Sequence, residues 1–290
     1  MGALFETISS VGTLLGVGAN VLCPKPVGLA IGDLMVSGAW INTGLTSTMS
    51  PPGGWTKVRQ DEPGIGNPKG MLSFKFADAA DVAATDFLFT QSAAASPPWL
   101  CAIYRVSGAG GIDNQRMLLL NDIVIGSIIS LLPALDTIAD NVLLLRMTGY
   151  DTTGTEPTSV TDPGTDTRRA IEGGPTVGPG TSDIVGLWYT LNASPVTPPQ
   201  TIVSAPVTMN GAAGRARSVQ YAIGICPVTV FGTIEEAEAR ARDKTADRTW
   251  VNSHSQRLIT GNPAVRTQRF MSPTDRDAGG WVDIVDSTVV

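Results

Sequence analysis

The chain has 290 residues, of which 42% are hydrophobic and only 16% charged, and its formal net charge is −6. The hydrophobic share supports a buried core and excludes wholesale disorder. The acidic balance excludes a surface built to displace counterions from nucleic-acid phosphates. The 32 glycines and 20 prolines are half as many again as the average share of about 12%, which predicts short strands between many turns.

Residues Met1 to Leu22 are largely apolar but include Glu6 and hold no Lys or Arg, the first being Lys25. They therefore lack the basic start of a signal peptide. Period-two alternation then dominates as far as residue 226. In Asp33–Ile41, Leu34, Val36, Gly38 and Trp40 share one face. Leu72, Phe74 and Phe76 alternate with Ser73 and Lys75, Phe87 and Phe89 flank Leu88, and Trp99, Cys101 and Ile103 flank Leu100 and Ala102. Val142–Thr148, Asp183–Leu191 and Arg217–Cys226 continue the pattern, which places one face of each strand on a core. Val142–Met147 is apolar on both faces and is expected mid-sheet. Met117–Leu135, the most apolar window, is interrupted by Asn121, Asp122 and Pro133 and does not make a membrane span of about 20 residues.

Turn clusters separate these runs at Ser50–Gly54, Pro63–Pro68, Ser107–Gly111, Gly173–Gly180 and Pro195–Pro199. Glycine supplies positive φ there, and proline cannot donate to a ladder. The expectation is an all-β protein, a jelly-roll-like antiparallel sandwich spanning 30–226. Its halves, 30–107 and 140–226, each open and close on a strong apolar strand. Residues 1–29 are expected as an N-terminal arm and 227–247 as a linker with a short helix. Thr233-Ile234-Glu235-Glu236 is a capping box, and Glu236/Arg240 and Glu238/Arg242 form i,i+4 pairs in a helix that runs to about Asp247.

Residues 248–290 are expected as an extended C-terminal arm of isolated apolar residues in a polar chain. Alone, such a segment does not offset the roughly 1–2 kcal/mol of backbone entropy each ordered residue costs. It must be pinned on its own domain or on neighbouring subunits. Trp250, Phe270, Trp281, Ile284 and Val285 are the candidate docking residues, and a strand at Val282–Val285 could join a partner's sheet edge.

The chemistry-bearing residues are sparse. His254 is the one histidine and lies in the polar C-terminal stretch, so neither a Ser-His-Asp triad nor a histidine metal site is expected. Cys23, Cys101 and Cys226 are too few and too scattered for a disulfide framework or a zinc site and read as buried thiols, a bridge between two of them being the alternative. The carboxylate pairs Asp61/Glu62, Asp162/Asp166 and Asp275/Asp277 read as solvated loops. Glycoside hydrolysis, or calcium held by Asp162 and Asp166, is the sharper alternative. Gly16-Val17-Gly18 and Gly173–Gly180 read as turns, since both lack the partners of a phosphate-binding loop. No catalytic, cofactor or metal residue is assigned. Trp40, Trp99 and Trp188 are expected in the core, while Trp55, after the Pro-Pro-Gly-Gly turn, is the candidate glycan contact.

Gly32-Asp33-Leu34-Met35-Val36, Pro52-Gly53-Gly54-Trp55-Thr56-Lys57-Val58, Met71–Ala77 and Trp99–Val106 together resemble a jelly-roll module of phage tail fibres and appendages, which also recurs in surface adhesins. The resemblance covers 30–107, extends loosely to 226, and leaves out 1–25 and 227–290. It implies a non-enzymatic bacteriophage virion structural protein on the particle exterior, a tail, fibre or head-decorating component. Its expected partners are other virion proteins and copies of itself, held through the terminal arms, with no nucleic acid and no membrane insertion. The second reading is a carbohydrate-binding adhesin for a host-surface glycan, and the third a glycan-degrading enzyme.

Overall fold

The computed structural model describes residues 3–12, 20–42, 47–62, 68–92, 97–124, 128–137, 141–152, 159–173, 184–191, 200–210, 215–231, 256–259, 266–271 and 280–283. The chain opens with β1 (Leu4–Gly12), β2 (Val21–Pro24), β3 (Leu34–Ile41), β4 (Met49–Ser50), β5 (Thr56–Asp61) and β6 (Lys69–Phe76). A one-turn helix, α1 (Ala79–Ala83), then leads to β7 (Asp86–Gln91) and β8 (Trp99–Ser107). These strands form a five-stranded sheet in the order β1-β8-β3-β6-β5 and a three-stranded sheet in the order β2-β7-β4. All their pairings are antiparallel. This is the winding of a jelly roll, with β5 moved onto the edge of the larger sheet.

The next stretch repeats it. The strands are β9 (Ala109–Val124), β10 (Ile128–Leu132), β11 (Leu135–Thr137), β12 (Leu143–Thr152), β13 (Ser159–Thr161), β14 (Asp166–Gly173), β15 (Ile184–Leu191), β16 (Gln200–Ile202), β17 (Ala205–Asn210) and β18 (Arg215–Pro227). The large sheet runs β14-β15-β12-β18-β9 and the small one β10-β17-β13, with β11-β16 as an extra ribbon. Read from its other edge, the large sheet matches the first roll strand for strand: β9, β18, β12, β15 and β14 stand where β1, β8, β3, β6 and β5 stand.

The all-β sandwich expectation holds, and β12 lies mid-sheet between β15 and β18. The expected domain boundaries do not. Instead of one roll over 30–226, each half is a complete roll, and the small sheets flank two large sheets stacked face to face. Their shared core joins Leu34, Val36, Trp40, Leu72 and Tyr104 of the first roll to Leu145, Met147, Trp188, Val219 and Tyr221 of the second. The opposite faces of the large sheets carry separate cores against their own small sheets, with Met35, Ile41, Phe87 and Phe89 in the first roll and Leu132, Leu187, Tyr189 and Val207 in the second. A strand covered on both faces must be apolar on both, which is why all eight residues of β3 are buried.

Residues 4–12 likewise belong to the body and not to an N-terminal arm. β1 covers the edge of β8 from Leu4↔Ser107 to Gly12↔Leu100, and Phe5 and Ile8 pack on the shared core. β2 supplies an outer strand of the small sheet. The single residue Gly108, at φ 63°, connects β8 to β9, a left-handed conformation that glycine tolerates.

The expected extended C-terminal arm is corrected in its described parts too. β19 (Thr229–Phe231), β20 (Gln256–Ile259), β21 (Arg266–Met271) and β22 (Gly280–Asp283) form one sheet in chain order. β20 runs parallel to β19 and the other pairs are antiparallel. β20 and β21 are thus paired on both sides within the chain, while β19 and β22 are the edge strands. The expected helix at 233–247 lies outside the described residues.

Candidate functional site

The residues carrying the appendage-module resemblance converge on one end of the first roll. Asp33, just before β3, accepts from Arg105 Nε at 2.6 Å and from the Ala30 amide at 2.9 Å. The Asp33 carbonyl accepts from the Ala77 amide, and the Ala77 carbonyl from the Gly32 amide, both at 2.8 Å. Gly28 has φ 73°, and a Cβ there would lie 2.7 Å from Arg105 Nη1. The backbone conformation favours glycine at that position, and a side chain there would also press on the Arg105 guanidinium. Two cations and three carboxylates thereby pin the β2–β3 loop and α1 to the ends of β3, β6 and β8.

The second cation is Lys75, which pairs with Asp78 at 2.9 Å and Asp81 at 2.7 Å. Asp78 caps α1, accepting from the Asp81 amide at 3.0 Å, while Asp81 accepts from the Asp78 amide at 2.9 Å. The hydrogen bond from Lys75, with that from the Asp81 amide, holds the Asp78 carboxyl below its ordinary value of 3.8, at about 2. A carboxylate whose folded value is depressed contributes stability fully above its unfolded value and loses it as the pH falls toward its folded value. Melting temperatures of the wild-type and Asp78→Asn chains should therefore differ by a constant amount above about pH 5 and converge between about pH 4 and pH 2. Circular-dichroism melts across that range check it.

Trp55 is not an exposed platform. It is 8% exposed and packs edge-on to Phe87 and Phe89, with ring centroids 5.5 and 6.0 Å away. The Pro-Pro-Gly-Gly turn folds the ring inward to close the first roll's outer core, so its assignment as a glycan contact is corrected. Trp40, Trp99 and Trp188 are fully buried as expected.

The two carboxylate pairs among the described residues are occupied by cations of the same chain. Asp61 holds Arg59 at 2.6 Å, and Glu62 holds Lys69 at 2.8 Å. Asp162 takes Arg168 at 3.3 Å and the Tyr189 hydroxyl at 2.9 Å. Asp166 is not in a solvated loop but buried with Arg146, at 3.2 Å. The 68–69 region and β14 fold these acids against their partners, so they act as ties.

Phe270 and Trp281 are register partners on β21 and β22. Trp250, Ile284, Val285, His254 and the Asp275/Asp277 pair lie outside the described residues.

The seam between the rolls was not anticipated. Trp40 meets Trp188 at 5.3 Å and 66°, and Tyr221 at 6.2 Å and 27°. Its Nε1 donates to the Val219 carbonyl at 3.1 Å. The Tyr104 hydroxyl reaches the carbonyls of Tyr189 at 3.0 Å and Arg146 at 3.2 Å. At the seam's side, Ser10 donates to Glu172 at 2.6 Å, and the Arg169 guanidinium lies 4.4 Å from the centre of the Phe5 ring.

Pairing registers show that the seam has pseudo-twofold symmetry. Trp40 pairs with Gly70 and Leu100 in its sheet, as Gly149 pairs with Gly186 and Val219 in the other. Trp40 and Gly149 are therefore equivalent, and so are Gly38 and Met147. Equivalent positions face each other: a Cβ at Gly149 would lie 2.3 Å from the Trp40 ring, and one at Gly38 2.3 Å from Met147 Sδ. A Cβ at Gly70 would lie 2.7 Å from Val219, and one at Gly186 3.3 Å from Leu100, the reciprocal contact. Such reciprocity is the mark of an isologous interface, here enclosed within one chain. The sequence signal was the glycines inside apolar strands, which mark close approach of another layer.

Comparison with protein-family models finds no match, and neither do comparisons with curated proteins and with solved structures.

Proposed function

We propose that the chain is a non-catalytic structural protein of a bacteriophage particle, exposed on its exterior as a tail, fibre or head-decorating component. Its partners are other virion proteins and copies of itself. The observation that carries this reading is the use made of the appendage-type motif. Asp33, Gly54, Trp55, Lys75 and Arg105 are all spent on bracing one jelly roll, as befits a motif that specifies a building module and not a reaction. A body that encloses its own pseudo-dimer interface suits a part that must stay rigid while repeated around a particle.

The adhesin reading uses Trp55, whose ring lies in the core, and the loops near Pro63–Asn67 and Gly173–Gly180, which but for Gly173 lie outside the described residues. The strongly exposed apolar side chains among the described residues (Leu4, Leu22, Val27, Ile31, Leu88 and Val203) are aliphatic. They offer packing surface without an aromatic platform for a sugar ring. Such exposed faces of the body add to the docking surface proposed for the terminal segments.

An antibody raised against the recombinant chain, applied to purified particles of the phage whose genome encodes it, tests the proposal. The expected result is regular labelling of the particle surface, with many copies per particle by quantitative mass spectrometry. Absence from purified particles, with the chain abundant in infected-cell lysate, would overturn it.

A further inference from the structure

Cys23 and Cys101 are 78 residues apart in sequence, yet the Cys23 sulfur sits 3.9 Å from the Cys101 carbonyl oxygen. Both residues are fully buried in the core between the first roll's small and large sheets. Cys23 comes from β2, paired opposite Phe87, and Cys101 from the interior strand β8, paired opposite Ala39 and Val11. The Cys23 thiol therefore reaches across from one layer to the Cys101 backbone on the other, with both side chains in the same core, and no backbone ladder links these strands directly. Cys226 lies in the other roll, on β18.

We propose that Cys23 and Cys101 form a covalent modification site, a latent disulfide that staples the small sheet of the first roll to its large sheet. The reaction is thiol–disulfide exchange with a low-molecular-weight disulfide. One cysteine thiolate attacks it, giving a mixed disulfide and releasing one thiol. The second cysteine then displaces the other half. Two protein thiols become one S–S bond, and one small disulfide becomes two thiols, so protons and electrons balance. Burial, together with the neighbouring Cys23, raises the Cys101 thiol well above its ordinary value, so the thiolate is scarce once the layers have closed. The exchange belongs to folding, when β2 first meets β8, and depends on the redox state of the medium at that moment.

Refolding the full chain in a mixture of oxidised and reduced glutathione, followed by alkylation in denaturant and peptide mapping, tests this. The expected product is a peptide pair linked through Cys23 and Cys101, with Cys226 alkylated. Its melting temperature should lie about 10 °C above that of the fully reduced chain, as a loop of this length implies. The Cys23→Ala chain should show no such redox-dependent shift. Three alkylated cysteines after oxidative refolding, or disulfides that involve only Cys226, would overturn the proposal. Peptide mapping of the wild-type chain decides this even if the variant folds poorly.

Discussion

Replacing Trp40 with alanine is expected to lower the stability of the chain by about 3–5 kcal/mol, the range for truncating a fully buried tryptophan. The ring is fully buried at the seam, edge-on to Trp188 and stacked on Tyr221 of the other roll, and hydrogen-bonded to the Val219 carbonyl. In a chain of this size the loss corresponds to a fall of about 10 °C in melting temperature. The reciprocal change, Gly149→Leu, is expected to cost at least about 1–3 kcal/mol by overpacking, since its Cβ would fall 2.3 Å from the ring. Combining the two places a medium side chain into the void left by the large one. The double variant should therefore be more stable than the sum of the single losses by about 1 kcal/mol or more, a coupling that only residues in contact display. Chemical denaturation of the four chains measures it.

Asp166→Asn carries the other large effect. Arg146 and Asp166 side chains are 1% and 0% exposed, on the face of the second roll's large sheet that meets its small sheet. Arg146 also donates to the Val203 carbonyl at 2.6 Å. Its Nε has no hydrogen-bond partner among the described residues, so the guanidinium already pays part of its desolvation uncompensated. Burial pushes it below its ordinary value, and Asp166 opposes that. Removing the counter-charge leaves a buried cation alone, at an expected loss of about 3–5 kcal/mol. Replacing both partners with apolar residues, Arg146→Met with Asp166→Leu, should recover most of that loss or exceed wild type. A thermal denaturation series of the single and double variants checks the order.

The strands were legible in the sequence where large apolar residues alternate with small or polar ones, as in Leu72–Phe76 and Arg217–Cys226, although the structure buries both faces of these two strands. β12 was legible from apolar residues on both faces, and β15 was read as one more alternating strand. What alternation leaves open is which layer each face meets. Leu34, Val36 and Trp40 look the same whether they pack on a small sheet of their own roll or on another roll. The likeness of 30–107 to 140–226 was visible, but two Greek keys of one sandwich and two whole rolls share it. The deciding strands were the inconspicuous ones. β1 carries Thr7, Ser9 and Ser10 between its apolar residues, and β9 is a 16-residue strand whose apolar run lacks clean alternation. α1 was missed because Asp78–Asp81 is a capping box on a helix of only five residues, too short for helical periodicity.

Of the site residues, Trp55 was misplaced because a turn rich in glycine and proline announces exposure for the chain but not for the side chain that follows it. Phe87 and Phe89, 32 and 34 residues further along the chain, receive it. Asp162 and Asp166 were recognised as a pair, but their separate partners, Tyr189 and Arg146, come from other strands of the second roll. Cys23 and Cys101 were read as buried thiols, which they are. Their juxtaposition depends on how the first roll closes, and no spacing rule encodes it.

Scanning calorimetry of the wild-type and Asp166→Asn chains tests most directly whether the two rolls, sharing one pseudo-symmetric core, form a single cooperative body. The expected result is one main transition carrying both rolls, with calorimetric and van't Hoff enthalpies in agreement, that moves as a whole to lower temperature in the variant. Two separate transitions, of which Asp166→Asn shifts only one, would contradict it.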